Sequence, residues 1–243
     1  MILAIDIGNT NITIGAFEGR RLRRRFSIPT ALARRPARLR MALGRARGDA
    51  IICSVVPWAT PRVIRALRMV GCSRVRVVGK DVKVPLRNRY RYPNQVGQDR
   101  LVGAYAAWRN YKRDCVVADF GTAITIDVVT RTGEYLGGLI APGLDISLEA
   151  LASRTALLPK VELKEPPELL GRDTANSIRS GILYGCAALC DGLVIQLKRQ
   201  YVPKAAVVAT GGASALIAKH ARTIEHLKPH LVLEGLYHLT VKS

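Results

Sequence analysis

Residues 2–7, ILAIDI, form an apolar run broken only by Asp6, which reads as a buried strand. Gly8-Asn9 predicts a tight turn, and residues 11–17 then alternate polar and apolar with period two, a second strand. Glu18-Gly19 predicts the next turn, and residues 20–28 a third strand. Leu39 and Leu43 give residues 34–47 helical spacing. Residues 50–56 read as a buried strand ending at Pro57. Residues 60–70 read as a helix with Thr60 as N-cap and Pro61 at the first helical position. A short strand is expected at 74–78 and a helix at 94–111, where Val102, Tyr105, Ala106 and Arg109 share a face.

The opening pattern then returns. Residues 115–120 form an apolar strand that runs into Asp119-Phe120-Gly121-Thr122; residues 123–129 form another, and after Gly133-Glu134 residues 135–140 form a third. Strand, Asp-x-Gly turn and strand therefore occur twice, about half a chain apart, which predicts two similar lobes. Helices are expected within 142–158, over 174–200, from 214 to 219 and over 231–239. Residues 161–167 form a connector, and a buried strand at 205–210 runs into Gly211-Gly212. The expectation is an α/β chain of two lobes, 1–113 with the first Asp-Gly hairpin and 114–243 with the second and the late Gly-Gly turn.

Length and composition set bounds on this picture. A chain of 243 residues with 49% hydrophobic content can build a core over one or two domains. No run approaches the roughly 20 apolar residues that span a bilayer, and the N-terminus lacks a basic n-region, so a cytoplasmic location without a membrane partner is expected. Five Cys without CxxC spacing suit reduced thiols. The net charge of +20 concentrates in the stretch from Arg20 to Arg47. Such a field attracts polyanions, but with 5% aromatics and no recognisable motif the composition argues against a dedicated nucleic-acid role. His220, His226, His230 and His238 cluster near the end of the chain; Pro229 and the lack of Cys or acidic companions argue against zinc.

The hairpins carry the candidate chemistry. Gly lets backbone N–H groups approach phosphate oxygens, Thr10 and Asn11 add donors, and Asp6 can orient Mg²⁺ directly or through water. One such turn is a weak signal; two at corresponding strand ends suggest a phosphate clamp. A Gly pair at 211–212 can let an adenosine lie against the backbone.

The set resembles the actin/Hsp70/sugar-kinase superfamily, with two RNase H-like lobes, each a mixed sheet with flanking helices, and ATP in the cleft between them. Within it the chain resembles the type III pantothenate kinases, on DIGNTNIT at 6–13, SVVP at 54–57, VGQDR at 96–100, DFGTAIT at 119–125, GGLIAPGL at 137–144, Gly171-x-x-Thr174 through Ser180-Gly181, and Thr210–Gly212. The resemblance implies ATP-dependent phosphorylation of pantothenate, the first step of coenzyme A biosynthesis. It implies that Asp6, Ile7, Gly8, Asn9, Thr10, Asn11, Ile12, Thr13 and Thr122 bind ATP and that Asp99 is the general base. Tyr90, Gly97, Gln98, Asp99, Arg100 and Thr174 fall on pantothenate positions, with Arg100 facing the substrate carboxylate. Asp119 falls on the position for a monovalent cation, K⁺ or NH₄⁺. A homodimer with the pantothenate pocket at its interface is also implied.

Gln98 and Phe120 are bulkier than the family's usual residues there, and Tyr92-Pro93 stands where Asn-Pro is common. Two alternatives stand beside the pantothenate reading. One is a kinase of the same fold with another hydroxyl substrate. The other is a non-catalytic regulatory relative acting through a basic, nucleic-acid-facing surface.

Overall fold

The computed structural model describes residues 1–44 and 48–241. In chain order the first half holds β1 (Ile2–Ile7), β2 (Asn11–Glu18), β3 (Arg21–Pro29), α1 (Pro36–Leu43), β4 (Gly48–Ser54), α2 (Thr60–Met69), β5 (Cys72–Val77), β6 (Arg87–Asn88) and α3 (Gln98–Tyr111). The second half holds β7 (Cys115–Phe120), β8 (Ala123–Val129), β9 (Glu134–Pro142), α4 (Leu144–Arg154), α5 (Thr174–Gln200), β10 (Ala206–Thr210), α6 (Ser214–Ile217), β11 (His226–Leu227) and α7 (Leu231–His238).

The chain divides into two compact units. The first comprises Met1–Arg87, Arg91–Ala106 and the chain from Leu231; the second comprises Asn88–Tyr90 and Ala107–His230. A single cut after residue 113 therefore misplaces the C-terminal helix. Its apolar residues explain why: Leu233, Leu236 and Tyr237 of α7 cluster with Ala4, Phe17, Ile51 and Cys53. The rings of Phe17 and Tyr237 stack at 4.7 Å.

In the first unit the sheet order is β3-β2-β1-β4-β5. β1 runs antiparallel to β2 and parallel to β4, with Asp6 opposite both Thr13 and Cys53. The side-chain alternation of β1 sends Leu3, Ile5 and Ile7 to one face, where Leu39 of α1 and Val63 and Leu67 of α2 cover them. Ala4 goes to the other face, under α7.

Arg38 and Arg40 of the Arg-rich stretch fall in α1, and the start of the stretch becomes β3, the edge of this sheet. Arg21, Arg23, Arg24 and Arg25 are exposed there, and charge along an edge strand blocks pairing with another chain. Arg34 and Arg62 lie over the Trp58 ring at 4.6 and 5.4 Å. Arg45 and Arg47 lie outside the described residues.

The second unit repeats the order: β9-β8-β7-β10-β11, with the two-residue β6 added beyond β9. β7 is antiparallel to β8 and parallel to β10, and Asp119 lies opposite both Thr125 and Thr210. The strand-turn-strand repeat is thus a repeat of the whole five-strand topology. Its core sets Val116, Ala118 and Phe120 of β7 against Leu183, Ala187, Cys190 and Val194 of α5.

By length and composition α5, with 27 residues, could cross a membrane. Its inward side instead packs in the core of the second unit. Gly181, Gly185, Leu189, Gly192 and Ile195 lie on exposed positions of the same helix.

Local differences from expectation have local causes. Of the helix expected over 34–47, Pro36–Leu43 is helical; residues 30–34 form a 3₁₀ turn, Gly44 takes φ +63°, and residues 45–47 lie outside the described residues. Thr60 is the first residue of α2 rather than its cap. Its hydroxyl bonds to Ser54 Oγ at 2.7 Å and to the Val56 carbonyl at 3.1 Å. The helix expected from 94 starts at Gln98, after a 3₁₀ turn at Pro93–Gln95 and the break at Gly97.

Candidate active site

In the first unit the β1–β2 hairpin is closed by the Gly8 N–H donating to the Asn11 carbonyl at 2.9 Å. Asn9, Thr10 and Asn11 are exposed at its tip, and Gly8 is partly exposed. Ile7 and Ile12 are wholly buried in the core, so only their backbone is available to a ligand. Thr13 reaches across the sheet, its hydroxyl 3.1 Å from Ser27 Oγ. Thr30 bonds to the hairpin from the end of β3.

Asp99 stands in the first turn of α3, where a carboxylate is favoured by the free N–H groups and the helix dipole. Its Oδ1 accepts the Arg100 N–H at 2.9 Å. Gly97 makes this possible, because a Cβ there would collide with Asp99 Oδ1 and lie 3.8 Å from Val55. The loop behind it is fixed by Ser54, whose Oγ accepts from the Val56 N–H at 3.1 Å, and by the Val55 N–H donating to the Ile7 carbonyl at 3.1 Å. Gln98 extends its side chain over Gly79, which has φ +85°, so part of its length packs against backbone. Arg100 is partly buried.

The charges of Asp6 and Asp99 both act on one buried group. Cys53 lies opposite Asp6 in the adjacent strand, and burial, then the charge of Asp6, then that of Asp99 push its thiol well above the usual range. Two carboxylates from distant parts of the sequence thus act on the same buried thiol, one of them from the adjacent strand position.

All five cysteines are buried and free. Burial raises the Cys115 and Cys190 thiols to about 12. A group whose pKa rises on folding favours the folded state below its unfolded value and loses that contribution as pH climbs to the folded value. The resistance of the protein to urea should therefore fall as pH rises from about 9 toward 12. At pH 8 a thiol reagent such as DTNB should label the native protein slowly and all five cysteines after denaturation, and rapid native labelling would contradict the burial.

In the second unit Asp119 is the next-to-last residue of β7. Gly211, at φ +91°, lies so close that a Cβ would collide with Asp119 Oδ1 and approach the Phe120 backbone within 2.6 Å. The Ala213 N–H donates to the Phe120 carbonyl at 3.1 Å, and Ser214 Oγ to the Gly211 carbonyl at 2.6 Å. The second hairpin and the late Gly-Gly turn are therefore one braced structure. Phe120 points into the core, so its bulk is spent in packing. Thr122 is exposed at the hairpin tip.

Tyr90 lies against Gly137 of β9, 3.4 Å from where a Cβ would stand, with its ring 6.5 Å from that of Tyr135. Beneath is a polar group the sequence did not disclose. Asp127 is 2% exposed and accepts from Tyr135 Oη at 2.6 Å and Thr125 Oγ1 at 3.1 Å. The alternation of β8, which puts Asp127 on the face of Thr125 and Asp119, was the available signal. Thr174 is exposed as the first residue of α5, whose N-cap, Asp173, accepts the Asn176 N–H at 2.8 Å. That bond and the one from the Asn176 amide lower the Asp173 carboxyl below its usual range.

The histidines have other partners: His220 pairs with Glu165 at 3.1 Å and His226 stacks on Tyr111 at 4.4 Å. Among the described residues no group of three or more His, Cys, Asp or Glu could hold a metal ion by itself.

Two sheets of one topology, each with an Asp-ended hairpin, define the two-lobed actin-like and sugar-kinase class of fold. A structure described as a candidate 2-dehydro-3-deoxygalactonokinase of Sinorhizobium meliloti shares it. The TM-score is 0.58 at 14% identity, over 99% of this chain and 98% of that one. The profile of the type III pantothenate kinases matches residues 2–196. The type III pantothenate kinase of Geotalea uraniireducens strain Rf4 is 39% identical, and that of Geobacter sulfurreducens 41% identical. Each match covers 97% of this chain and 96% of the relative. The chain belongs to the type III pantothenate kinase family.

Proposed function

We propose that this chain transfers the γ-phosphate of ATP to the hydroxyl of pantothenate, giving 4'-phosphopantothenate and ADP for coenzyme A synthesis. The observation that carries the reading is the match to type III pantothenate kinases over nearly the whole chain, with Asp6 at the glycine hairpin and Asp99 in the first turn of α3 on their motif positions. One carboxylate serves the phosphate side and the other the attacking hydroxyl. Phosphoryl transfer asks little covalent chemistry of a protein, so positioning and charge neutralisation dominate.

In this reading residues 6–13 and Thr122 hold the ATP phosphates. Ile7 and Ile12 take part through backbone alone. Asp99 accepts or orients the hydroxyl proton from the first turn of α3. Gly97, Gln98 and Arg100 in the same turn, with Tyr90 and Thr174, contact pantothenate. Arg100 meets the carboxylate.

Mg²⁺ fits the donor set at the hairpin, because a nucleotide-borne Mg²⁺ keeps waters and needs only one or two protein oxygens, here Asp6. When bound it neutralises phosphate charge. Asp119, held against Gly211, offers an oxygen ligand for K⁺ or NH₄⁺. The exposed Gly181, Gly185, Leu189, Gly192 and Ile195 of α5 support a homodimer, since small residues let helices pack closely. A cytoplasmic location goes with the five free thiols. The non-catalytic regulator is not favoured, because the relatives matched over nearly the whole chain are named as kinases.

A coupled assay with ATP, Mg²⁺, K⁺ and pantothenate tests the reading. ADP release should depend on pantothenate and drop when Na⁺ replaces K⁺, while light scattering should give twice the 26.5 kDa chain mass. No turnover, with tight salt-sensitive DNA binding instead, would sink it. Indifference to the cation would remove the role given to Asp119.

A further inference from the structure

We propose that Thr30 is a positioning residue that straps the first hairpin into its nucleotide-binding shape. Thr30 follows Pro29, the last residue of β3, and is 1% exposed. Its hydroxyl donates to the Gly8 carbonyl at 2.6 Å and its N–H donates to the Thr10 carbonyl at 2.9 Å. One side chain and its own backbone thus hold the carbonyls on either side of Asn9.

Peptide planarity turns this into a statement about donors. In a trans peptide the carbonyl and the following N–H point in opposite directions. Fixing the Gly8 and Thr10 carbonyls toward Thr30 therefore aims the Asn9 and Asn11 N–H groups away from it. Two N–H groups of one hairpin tip aimed the same way are donors that phosphate oxygens can accept from.

The second unit shows the same device in different residues. β9 also ends in a proline, Pro142, which lies opposite Ala123 as Pro29 lies opposite Asn11. The next residue, Gly143, sits so close to its hairpin that a Cβ would collide with the carbonyl oxygens of Thr122 and Gly121. In both units the residue after the proline of the third strand bears on the hairpin carbonyls. The second unit does it by bare backbone approach and the first by a hydroxyl and an N–H.

The inference rests on residues 6–13 holding the nucleotide, so its test reads nucleotide affinity separately from turnover. Thr30→Val removes the hydroxyl and keeps the shape; Thr30→Ser keeps the hydroxyl. Affinity for Mg-AMPPNP is measured by calorimetry, KM for ATP and for pantothenate by the coupled assay, and folding by melting temperature. Thr30→Val should weaken nucleotide binding about tenfold or more and raise the ATP KM in step, since a lost bond here misaims further donors. The pantothenate KM should stay within about twofold of wild type, and Thr30→Ser should bind nucleotide within about threefold of it.

Nucleotide affinity unchanged in Thr30→Val, or equally poor in Thr30→Ser, overturns the proposal. So does an equal loss for both substrates, or a Val variant that fails to fold while Ser folds, because each assigns Thr30 to the core alone. A wild type that binds nucleotide but ignores pantothenate sinks the substrate reading and leaves the strap to be judged by affinity. A wild type without nucleotide affinity sinks both.

Discussion

Asp99→Asn is expected to lower pantothenate-dependent ADP release by about 10²–10⁴-fold, the range for losing a positioned general base. Asn keeps the size of the side chain and one oxygen to accept the Arg100 N–H, so the start of α3 should survive. The affinity for Mg-AMPPNP should change little, because Asp99 lies at the helix start and not in the hairpin. The replacement also removes one of the two charges that raise the Cys53 thiol. Steady-state kinetics and calorimetry on the same preparation check both halves. Turnover within about tenfold of wild type would mean that Asp99 neither takes nor orients the proton.

Gly211→Ala should have the largest effect on stability. Its φ of +91° is a region that an L-residue enters at a cost of about 1–3 kcal/mol. The new Cβ would also meet Asp119 Oδ1 and the Phe120 backbone, and such overpacking costs about 1–3 kcal/mol more. The total of about 2–6 kcal/mol is a large part of an ordinary folding free energy. The neighbour that must move is the cation ligand of the proposed site, so activity should fall with stability. Thermal melts and the K⁺ dependence of turnover measure the two together. Gly212→Ala is the control, because a Cβ there has nothing within 4 Å.

The parts legible in the sequence were those with a strong local signal. Asp6-Ile7-Gly8 and Asp119-Phe120-Gly121 each end an apolar run and begin an alternating one, which fixed both hairpins and the repeat. Gly97 before Asp99 was readable as a motif, and its reason emerged as the space the carboxylate needs. The two-residue strands β6 and β11 carry no periodicity and are made by their neighbours. Thr30 carries no sequence signal of its own; only the fold turns its hydroxyl onto Gly8. The place of α7 was illegible because its apolar stripe suits any sheet face, and only long-range packing puts it against Ala4 and Phe17. Helix ends were missed where glycine or a 3₁₀ turn overrode a continuing pattern, as at Gly44 and Gln95.

The stack of Phe17 on Tyr237 has a consequence for how the chain is made. Synthesis is vectorial, and domains generally fold as they emerge. The second unit is complete in sequence at His230, whereas the first still lacks the helix that covers one face of its sheet. The half translated first is therefore the half finished last. Until the ribosome has delivered the final turns, Ala4, Phe17 and Ile51 wait uncovered, and a nascent chain stalled before Leu231 should be a client for chaperones.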